Sequence, residues 1–324
     1  MKPSFIDDLS LPAVAAPMFL ISGPKLVIEC CKNGIVGTFP ALNQRDTAGF
    51  EDWIIEIKES LTVFEAETGK KAAPFGVNLI VHTTNSRVQA DLEICIKHKV
   101  PLIITSLGAV PQLVEAVHSY GGLVFHDVIK KRHAEKAAQA GVDGLILVAA
   151  GAGGHAGLTN PMSLITEIKS FFNKTILLSG CISTGTDIAS ALQMGADLAY
   201  MGTRFINVEE SLAEDEYRQM IIDSKASDIV YTAAVSGVNA NFLRPSLESM
   251  GITEDMWAQS KKIDFGEELD AAKAEAKAWK TIWSAGHGVT SIDDTVSTVS
   301  LVNRLKIQFI EALQRQQAVL KKYL

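Results

Sequence analysis

Eight short apolar segments recur along residues 13–201, each separated from the next by a stretch long enough for a helix. They begin about 20 to 40 residues apart, which is the spacing of βα units in a parallel sheet rather than of β-hairpins. Eight such units favour a closed (β/α)8 barrel of the α/β class, although the count alone leaves an open doubly wound sheet as an alternative. The predicted strands are 13–16, 35–39, 75–80, 102–105, 123–126, 144–148, 175–178 and 198–201.

The stretches between the strands carry the signals that begin and end helices. The stretch 111–118 opens with Pro111 and ends shortly before a glycine pair, while 131–140 and 186–194 each end directly before a glycine. Proline has a backbone preset for the first helical turn, and glycine adopts the left-handed conformation that ends many helices. Helices are therefore predicted to alternate with the strands.

The pattern changes after the eighth strand, and the chain exceeds the roughly 250 residues of a typical α/β barrel. Residues 228–245 are mixed in polarity and predict an irregular segment, whereas 267–283 are rich in alanine and charge with apolar residues at helical spacing. We predict a barrel over 1–225, completed by a C-terminal helix within 294–324. Residues 226–293 are predicted to form a small, mainly helical cap inserted after strand eight.

Composition narrows the functional classes. The chain has 30 basic and 37 acidic residues, a formal charge of -7 that argues against a nucleic-acid or anionic-membrane surface. No apolar run approaches the roughly 18 residues of a membrane span, and the N-terminus lacks the apolar stretch of a signal peptide. The four cysteines show no zinc spacing and fit a reducing compartment, so a cytoplasmic protein is predicted. A homodimer is left open.

Residues 151–157 place one histidine, His155, among four glycines directly after the sixth predicted strand. Barrel enzymes carry their chemistry at this end of the strands, and a histidine held there is a candidate acid or base. The alternative is a tight turn in which His155 only bonds a neighbouring carbonyl. A loose match to a dinucleotide fingerprint is set aside because no helix of a first βαβ unit follows it.

The loops after the seventh and eighth strands begin with Ser179-Gly180 and Gly202-Thr203. In α/β barrels these two loops frequently bind phosphate through backbone N–H groups, so a phosphorylated ligand is expected. The alternative, that the glycines only let helices pack closely, is about equally favoured by the sequence.

Three further positions could contact a ligand. Asn78 lies inside an apolar strand, where its amide must bond a ligand or tie two strands together. Met18 offers a soft surface for a flat ring, although a core methionine is the commoner role. His126 and Asp127 are adjacent on the fifth strand, so at most one of them faces the barrel interior. The histidines show no metal-binding spacing.

In this order the motifs resemble those of the nitronate monooxygenase family, formerly called 2-nitropropane dioxygenases, over nearly the whole chain. The element Gly153-Gly154-His155 alone is less specific, because FMN-dependent enoyl-acyl-carrier-protein reductases share it. The motifs are Ala16-Pro17-Met18, Phe75-Gly76-Val77-Asn78-Leu79, Gly153-Gly154-His155-Ala156-Gly157, Ser179-Gly180, Met201-Gly202-Thr203-Arg204, Asn241-Phe242-Leu243-Arg244-Pro245 and Trp283-Ser284-Ala285-Gly286.

The resemblance implies a TIM barrel that holds FMN non-covalently at its mouth, with His155 as the catalytic residue. The chain departs from some relatives at Asp127, where they carry lysine, and at Cys181, where a second glycine is common. Under this resemblance the flavin contacts would be Met18, Asn78, Gly153 and Gly154, and the phosphate contacts would be Gly180, Gly202 and Thr203.

The expected activity is oxidation of alkyl nitronates, and of nitroalkanes where His155 removes the α-proton, with O2 to carbonyl compounds and nitrite. A cationic His155 would instead hold the nitro oxygens. Arg244 and Tyr231 are secondary candidates for contacting the substrate. One alternative is an NAD(P)H-dependent FMN reductase acting on enoyl thioesters or quinones, and another is a flavin-binding module without turnover.

Overall fold

Eight parallel strands close into a barrel, and the last of them pairs with the first. The structure, a computed structural model, describes residues 3–108, 110–235, 237–257 and 282–324. The predicted (β/α)8 barrel is confirmed, and the predicted strands agree with the observed ones to within one residue at either end, except that the fifth extends two residues further, to Val128. The barrel strands are β1 (Ala13–Ala15), β2 (Val36–Pro40), β3 (Phe75–Ile80), β4 (Leu102–Ser106), β5 (Leu123–Val128), β6 (Gly144–Val148), β8 (Thr175–Ser179) and β9 (Leu198–Met201), and β7 (Gly154–His155) lies outside the barrel.

Helices connect the strands as the local signals predict. Helix α7 begins with a capping box between Thr184 and Asp187 and ends at Gly195, whose φ of 106° is left-handed. The helices are α1 (Pro24–Lys32), α2 (Thr47–Thr68), α3 (Val88–Lys97), α4 (Pro111–His118), α5 (Lys131–Gln139), α6 (Pro161–Lys169), α7 (Gly185–Met194), α8 (Thr203–Ile206), α9 (Asp215–Asp223), α10 (Arg244–Ser249) and the C-terminal helix (Thr298–Leu320). None of these described helices is long and apolar enough to cross a membrane.

The strands are buried on both faces, which explains why they read as apolar runs rather than as alternating patterns. Inward-facing residues such as Phe125 fill the barrel, and outward-facing residues such as Val124 pack against the helices. Burying each large side chain contributes about 1.5 to 3 kcal/mol. Because strand residues alternate, β5 turns Asp127 inward with Phe125 and turns His126 outward, where it bonds Thr105.

A small antiparallel sheet lies beside the barrel, with the strand order β10 (Ile229–Thr232), β11 (Ala240–Leu243) and β7. The prediction of an irregular segment over 228–245 is therefore wrong. The described part of the predicted cap, 226–293, is mixed rather than mainly helical. Its strands pair with each other and with the distant glycine-histidine stretch, a partner that local periodicity does not reveal. The helix predicted at 267–283 lies, except for its last two residues, outside the described residues.

The C-terminal helix packs on α7 of the barrel, a partner that the sequence did not specify. Its Gln308 side-chain oxygen accepts a hydrogen bond from the backbone N–H of Gly185 at 2.9 Å. A Cβ at Gly185 would lie 2.0 Å from the carbonyl oxygen of Leu305, so only glycine allows this close approach. The contact fixes the loop after β8, one of the loops that form the barrel mouth.

Candidate active site

One cavity of about 1060 Å³ occupies the mouth of the barrel, where the carboxyl ends of the strands meet. Its volume slightly exceeds the roughly 300 to 1,000 Å³ of pockets for a single small molecule, so it has room for a cofactor and a substrate. Every cofactor and catalytic residue predicted from the sequence lines it: Met18, Asn78, Gly153, Gly154, His155, Gly180, Gly202 and Thr203.

His155 lies on the wall of this cavity and is held by the small sheet, in which it pairs with Ala240 of β11. Burial lowers the pKa of its imidazole to about 4, because a charged ring loses hydration there. The ring is therefore neutral at neutral pH. A neutral imidazole can accept a proton or donate one N–H hydrogen bond, but it supplies no positive charge.

The glycines around the cavity serve two different purposes. Gly154 has a left-handed φ of 67°, and a Cβ there would meet no protein atom within 4 Å. At Gly202 the nearest atoms to such a Cβ lie 3.8 and 3.9 Å away, on Ala16 and Met18. The absence of a side chain at both positions thus leaves open space inside the cavity. A surface that binds a flat ligand needs such space.

Gly153 is a glycine for another reason. A Cβ on it would lie 2.9 Å from the backbone nitrogen of Gly286 and 3.1 Å from the carbonyl carbon of Ala285. Gly153 therefore allows the backbone to lie close to the chain's own segment 284–288. Gly180 is also required by the protein itself, because its φ is 124° and a Cβ there would lie 2.9 Å from the Ala150 carbonyl oxygen. Sequence reasoning assigned all of these glycines to the ligand.

The segment 284–288 covers one side of the mouth and is tied to the loops beneath it. The N–H of Gly286 donates to the Thr203 hydroxyl at 3.0 Å, and the N–H of His287 donates to the Gly151 carbonyl at 2.9 Å. The Thr203 hydroxyl is the acceptor in this hydrogen bond, so its O–H and the backbone N–H of the residue are the donors to consider for a phosphate. The sequence indicated this segment only through its family motif.

An ion-pair network holds Asp294, which follows this segment in the chain. Arg204, which is 2% exposed, donates to a carboxylate oxygen of Asp294 at 2.8 Å and to its carbonyl at 3.1 Å. Arg304 of the C-terminal helix donates to both carboxylate oxygens, at 3.1 and 2.6 Å. These arginines lower the pKa of the Asp294 carboxyl, Arg304 most strongly. The network joins α8, the stretch at Asp294 that follows the covering segment, and the C-terminal helix.

A chain of polar side chains forms the cavity wall at β3, β4 and β5. The Asn78 amide donates to the Ser106 hydroxyl at 2.8 Å and to the Ile104 carbonyl at 3.3 Å, and Ser106 donates to Asp127 at 2.5 Å. Asn78 thus ties two strands together, as one of the two sequence alternatives predicts, and it lines the cavity, where the ligand contact stays a prediction. Burial raises the pKa of Asp127 to about 6, while the Ser106 hydrogen bond opposes the shift.

Ser106 and Tyr200 also line the cavity, and neither was predicted from the sequence. Ser106 is the last residue of β4 and Tyr200 the last but one of β9, and the inward alternation of those strands is the signal that could have found them. Among the described residues, no group of three or more histidine, cysteine, aspartate or glutamate side chains could hold a metal ion.

The family model for nitronate monooxygenases matches residues 43–307, well over half of the chain. The chain belongs to the nitronate monooxygenase family. That assignment makes it an oxidoreductase of a flavin-dependent family.

Relatives and solved structures show how far the likeness extends. A nitronate monooxygenase of Paraburkholderia phytofirmans is 26% identical, with 86% of this chain and 84% of the relative aligned. An octahydro-indene-carboxyl-CoA dehydrogenase of Rhodococcus jostii is 25% identical over 73% of this chain, which spans only 63% of that relative.

Two solved structures share the fold. The nitroalkane oxidase of Streptomyces ansochromogenes is 21% identical with a TM-score of 0.80, covering 97% of this chain and 100% of its own. FabK from Thermotoga maritima is 22% identical with a TM-score of 0.78, covering 97% of both chains.

Within this nitronate monooxygenase barrel, Cys181 takes a backbone conformation that normally selects glycine. Its φ is 57°, in the left-handed region, and its side chain lines the cavity. Burial, followed by the nearby Asp187 carboxylate, raises the pKa of its thiol, so the side chain remains a thiol at neutral pH. The departure noted in the sequence is thus a substitution at a strained position of the mouth.

The two secondary substrate candidates lie elsewhere. The Arg244 guanidinium stacks 4.9 Å above the Trp257 ring and donates to the Ser227 carbonyl at 3.3 Å. The Tyr231 hydroxyl donates to the Ala156 carbonyl at 3.1 Å. Neither residue lines the cavity, so both are corrected from substrate contacts to groups that hold the small sheet and its surroundings.

Proposed function

We propose that the protein binds FMN and oxidises alkyl nitronates with O2 to carbonyl compounds and nitrite. Two nitronate anions and one O2 molecule then give two carbonyl molecules and two nitrite ions. The observation that carries the proposal is the family match over 43–307, on a barrel whose single mouth cavity, within the described chain, has His155 in its wall.

The residues present fit FMN. Gly154 and Gly202 leave space into the cavity that a Cβ would fill, as a flat ring requires. Met18 and Asn78 would lie against the ring, and the loops of Gly180, Gly202 and Thr203 would take the phosphate through their backbone N–H groups. FMN, when bound, supplies the electron-transfer chemistry, and the protein supplies binding and orientation.

His155 would act through its neutral ring. A nitronate is already an anion, so it needs no base and would accept an N–H hydrogen bond from the imidazole. A neutral nitroalkane must first lose its α-proton, and the unprotonated ring nitrogen would take it. Because the pKa of His155 is lowered to about 4 by burial, the base form is present throughout the neutral range.

The test is an aerobic assay of the FMN-loaded protein with ethylnitronate and propionate-3-nitronate. We expect O2 consumption and nitrite release in the presence of either nitronate, with no requirement for a pyridine nucleotide. Absence of both signals with both substrates would remove the proposal.

A second candidate is an NAD(P)H-dependent FMN reductase acting on enoyl thioesters or quinones. It is favoured by the Rhodococcus jostii relative, whose name gives a CoA thioester substrate. Rapid anaerobic bleaching of the flavin by NADH or NADPH would support this candidate. Bleaching by a nitronate without pyridine nucleotide would support the first.

A further inference from the structure

The loop after β1 presents apolar side chains to the cavity instead of burying them in the core. Phe19 and Leu20 are only partly buried, and both line the cavity. Single exposed apolar residues are ordinary on a protein surface, but here neighbours in sequence line the same concave space. The exposed surface of these two side chains therefore faces the space in which a ligand would bind.

This loop is held in place from behind. The Asn43 side-chain oxygen accepts the N–H of Leu20 at 2.8 Å, and its amide donates to the carbonyls of Met18 at 3.0 Å and Ser22 at 2.8 Å. Leu20 has a φ of 61°, a backbone conformation that is unfavourable for residues other than glycine. The three hydrogen bonds hold this conformation, so the loop is preorganised and does not depend on a ligand to fold.

The apolar surface continues onto the segment after β9. Leu212 is 50% exposed, lines the cavity and donates its N–H to the Ile21 carbonyl at 2.9 Å. Tyr217 and Trp283 stack with ring centroids 4.9 Å apart and planes 6° apart, and both line the same cavity. The Tyr217 hydroxyl donates to the Ser284 carbonyl, so its ring is fixed. We call Phe19, Leu20, Leu212, Tyr217 and Trp283 the apolar wall.

The two sides of the cavity differ in chemistry. The apolar wall comes from the segments after β1 and β9 and from the returning segment at Trp283, and the acidic Glu214 lines the cavity beside it. The polar groups Asn78, Ser106 and Asp127 come from β3, β4 and β5, where Ile80, Leu107 and Ile129 also line the cavity. A substrate with one polar, reactive end and one hydrocarbon end matches this division.

We propose that the apolar wall is the subsite for the hydrocarbon body of the substrate, and that the enzyme prefers nitronates with long or cyclic hydrocarbon groups to ethylnitronate. The proposal rests on the proposed function and names its substrate class. A cavity of about 1060 Å³ holds more than a cofactor and a two-carbon substrate need.

The first experiment measures kcat/KM for straight-chain nitronates from ethyl to octyl. We expect a rise of up to about fourfold for each added methylene that reaches the wall, the ratio equivalent to about 0.8 kcal/mol. Leu20→Gly removes the side chain without backbone strain, since glycine tolerates the positive φ. It should lower kcat/KM for octylnitronate by a larger factor than for ethylnitronate, as should Leu212→Ala. Ile307→Ala, which removes a 59% exposed side chain on the C-terminal helix, is the matched control.

A second experiment does not depend on turnover. Straight-chain carboxylates from acetate to octanoate are unreactive anions whose planar carboxylate group resembles the nitronate group. Calorimetric titration of the FMN-loaded protein would give their Kd values. Affinity should rise with chain length in the wild type and more weakly in Leu20→Gly. If nitronates are not oxidised but carboxylate affinity still rises in this way, the proposed function fails and the wall stands. If nitronates are oxidised while both series are flat, or Leu20→Gly behaves as Ile307→Ala, the wall proposal is overturned.

Discussion

Lowering the pH from 6.5 to 4 should destabilise this barrel in part through one imidazole, that of His126. The side chain is 6% exposed and lies on the outer face of β5. The Thr105 hydroxyl is placed to donate to the Phe125 carbonyl at 3.4 Å and to accept Nδ1–H of His126 at 2.7 Å. Burial, and then the neighbouring His133, lower the pKa of His126 to about 4.

The sign follows from the two pKa values. Unfolded histidine titrates near 6.5, so between pH 6.5 and 4 the unfolded chain binds a proton at this position that the folded chain does not. The contribution of neutral His126 is complete above pH 6.5 and is lost as the pH falls toward 4. Each pH unit in this window costs about 1.4 kcal/mol, which gives about 3 kcal/mol over the 2.5 units from 6.5 to 4.

The assay is urea unfolding of the FMN-saturated protein at pH 7, 5.5 and 4.5. His126→Asn keeps an N–H donor for Thr105 and cannot titrate, so the pH dependence of its unfolding free energy should be weaker by about 1.4 kcal/mol per pH unit. Thr105→Val is the control, since it removes the hydrogen-bond partner and should lower stability at every pH without removing the slope. A His126→Asn protein with the wild-type pH slope would refute the reasoning.

Three further predictions concern the cavity and its supports. His155→Gln should reduce the rate of nitrite release from neutral nitroethane by roughly 10² to 10⁴-fold while the flavin absorbance of the purified protein is unchanged. Gly154→Ala should weaken FMN binding in a fluorescence titration more than Gly69→Ala does. Both glycines have a φ of 67° and no atom within 4 Å of a Cβ, but only Gly154 lines the cavity. Asp294→Ala leaves Arg204 buried without its carboxylate and should lower the unfolding free energy by about 3 to 5 kcal/mol in urea. An unchanged urea midpoint would contradict that last prediction.

The barrel was predictable because its signals are local. Strand spacing, Pro111 at a helix start and Gly195 at a helix end are properties of short windows, and the structure places strands and helices there. The small sheet was not predictable in this way. Its strand β11 pairs with Gly154 and His155 from a stretch that reads as a loop, so only the tertiary fold supplies the partner.

The sequence predicted which residues line the candidate site, but it did not predict what each of them contacts. Residues at strand ends collect at the mouth in any such barrel, which is why Met18, Asn78 and His155 line one cavity. Which glycine faces a ligand and which faces the chain itself depends on contacts between distant segments. Gly153 and Gly286 meet only because 284–288 folds back over the mouth.

Of the two forms considered for His155, a neutral base and a cation that holds the nitro oxygens, burial favours the neutral ring. Burial lowers the pKa of His155 to about 4 and raises that of Asp127 to about 6, so the same cause moves an acid and a base toward their neutral forms. Arg244, the cation that the sequence offered for an anionic substrate, stacks on Trp257 instead. A neutral His155 would offer the proposed nitronate a hydrogen bond rather than a charge, whereas Lys136 is the lysine among the described residues that line the cavity. We therefore infer that His155 serves as an N–H donor to nitronates and as a base toward nitroalkanes, because both roles use the neutral ring that burial maintains.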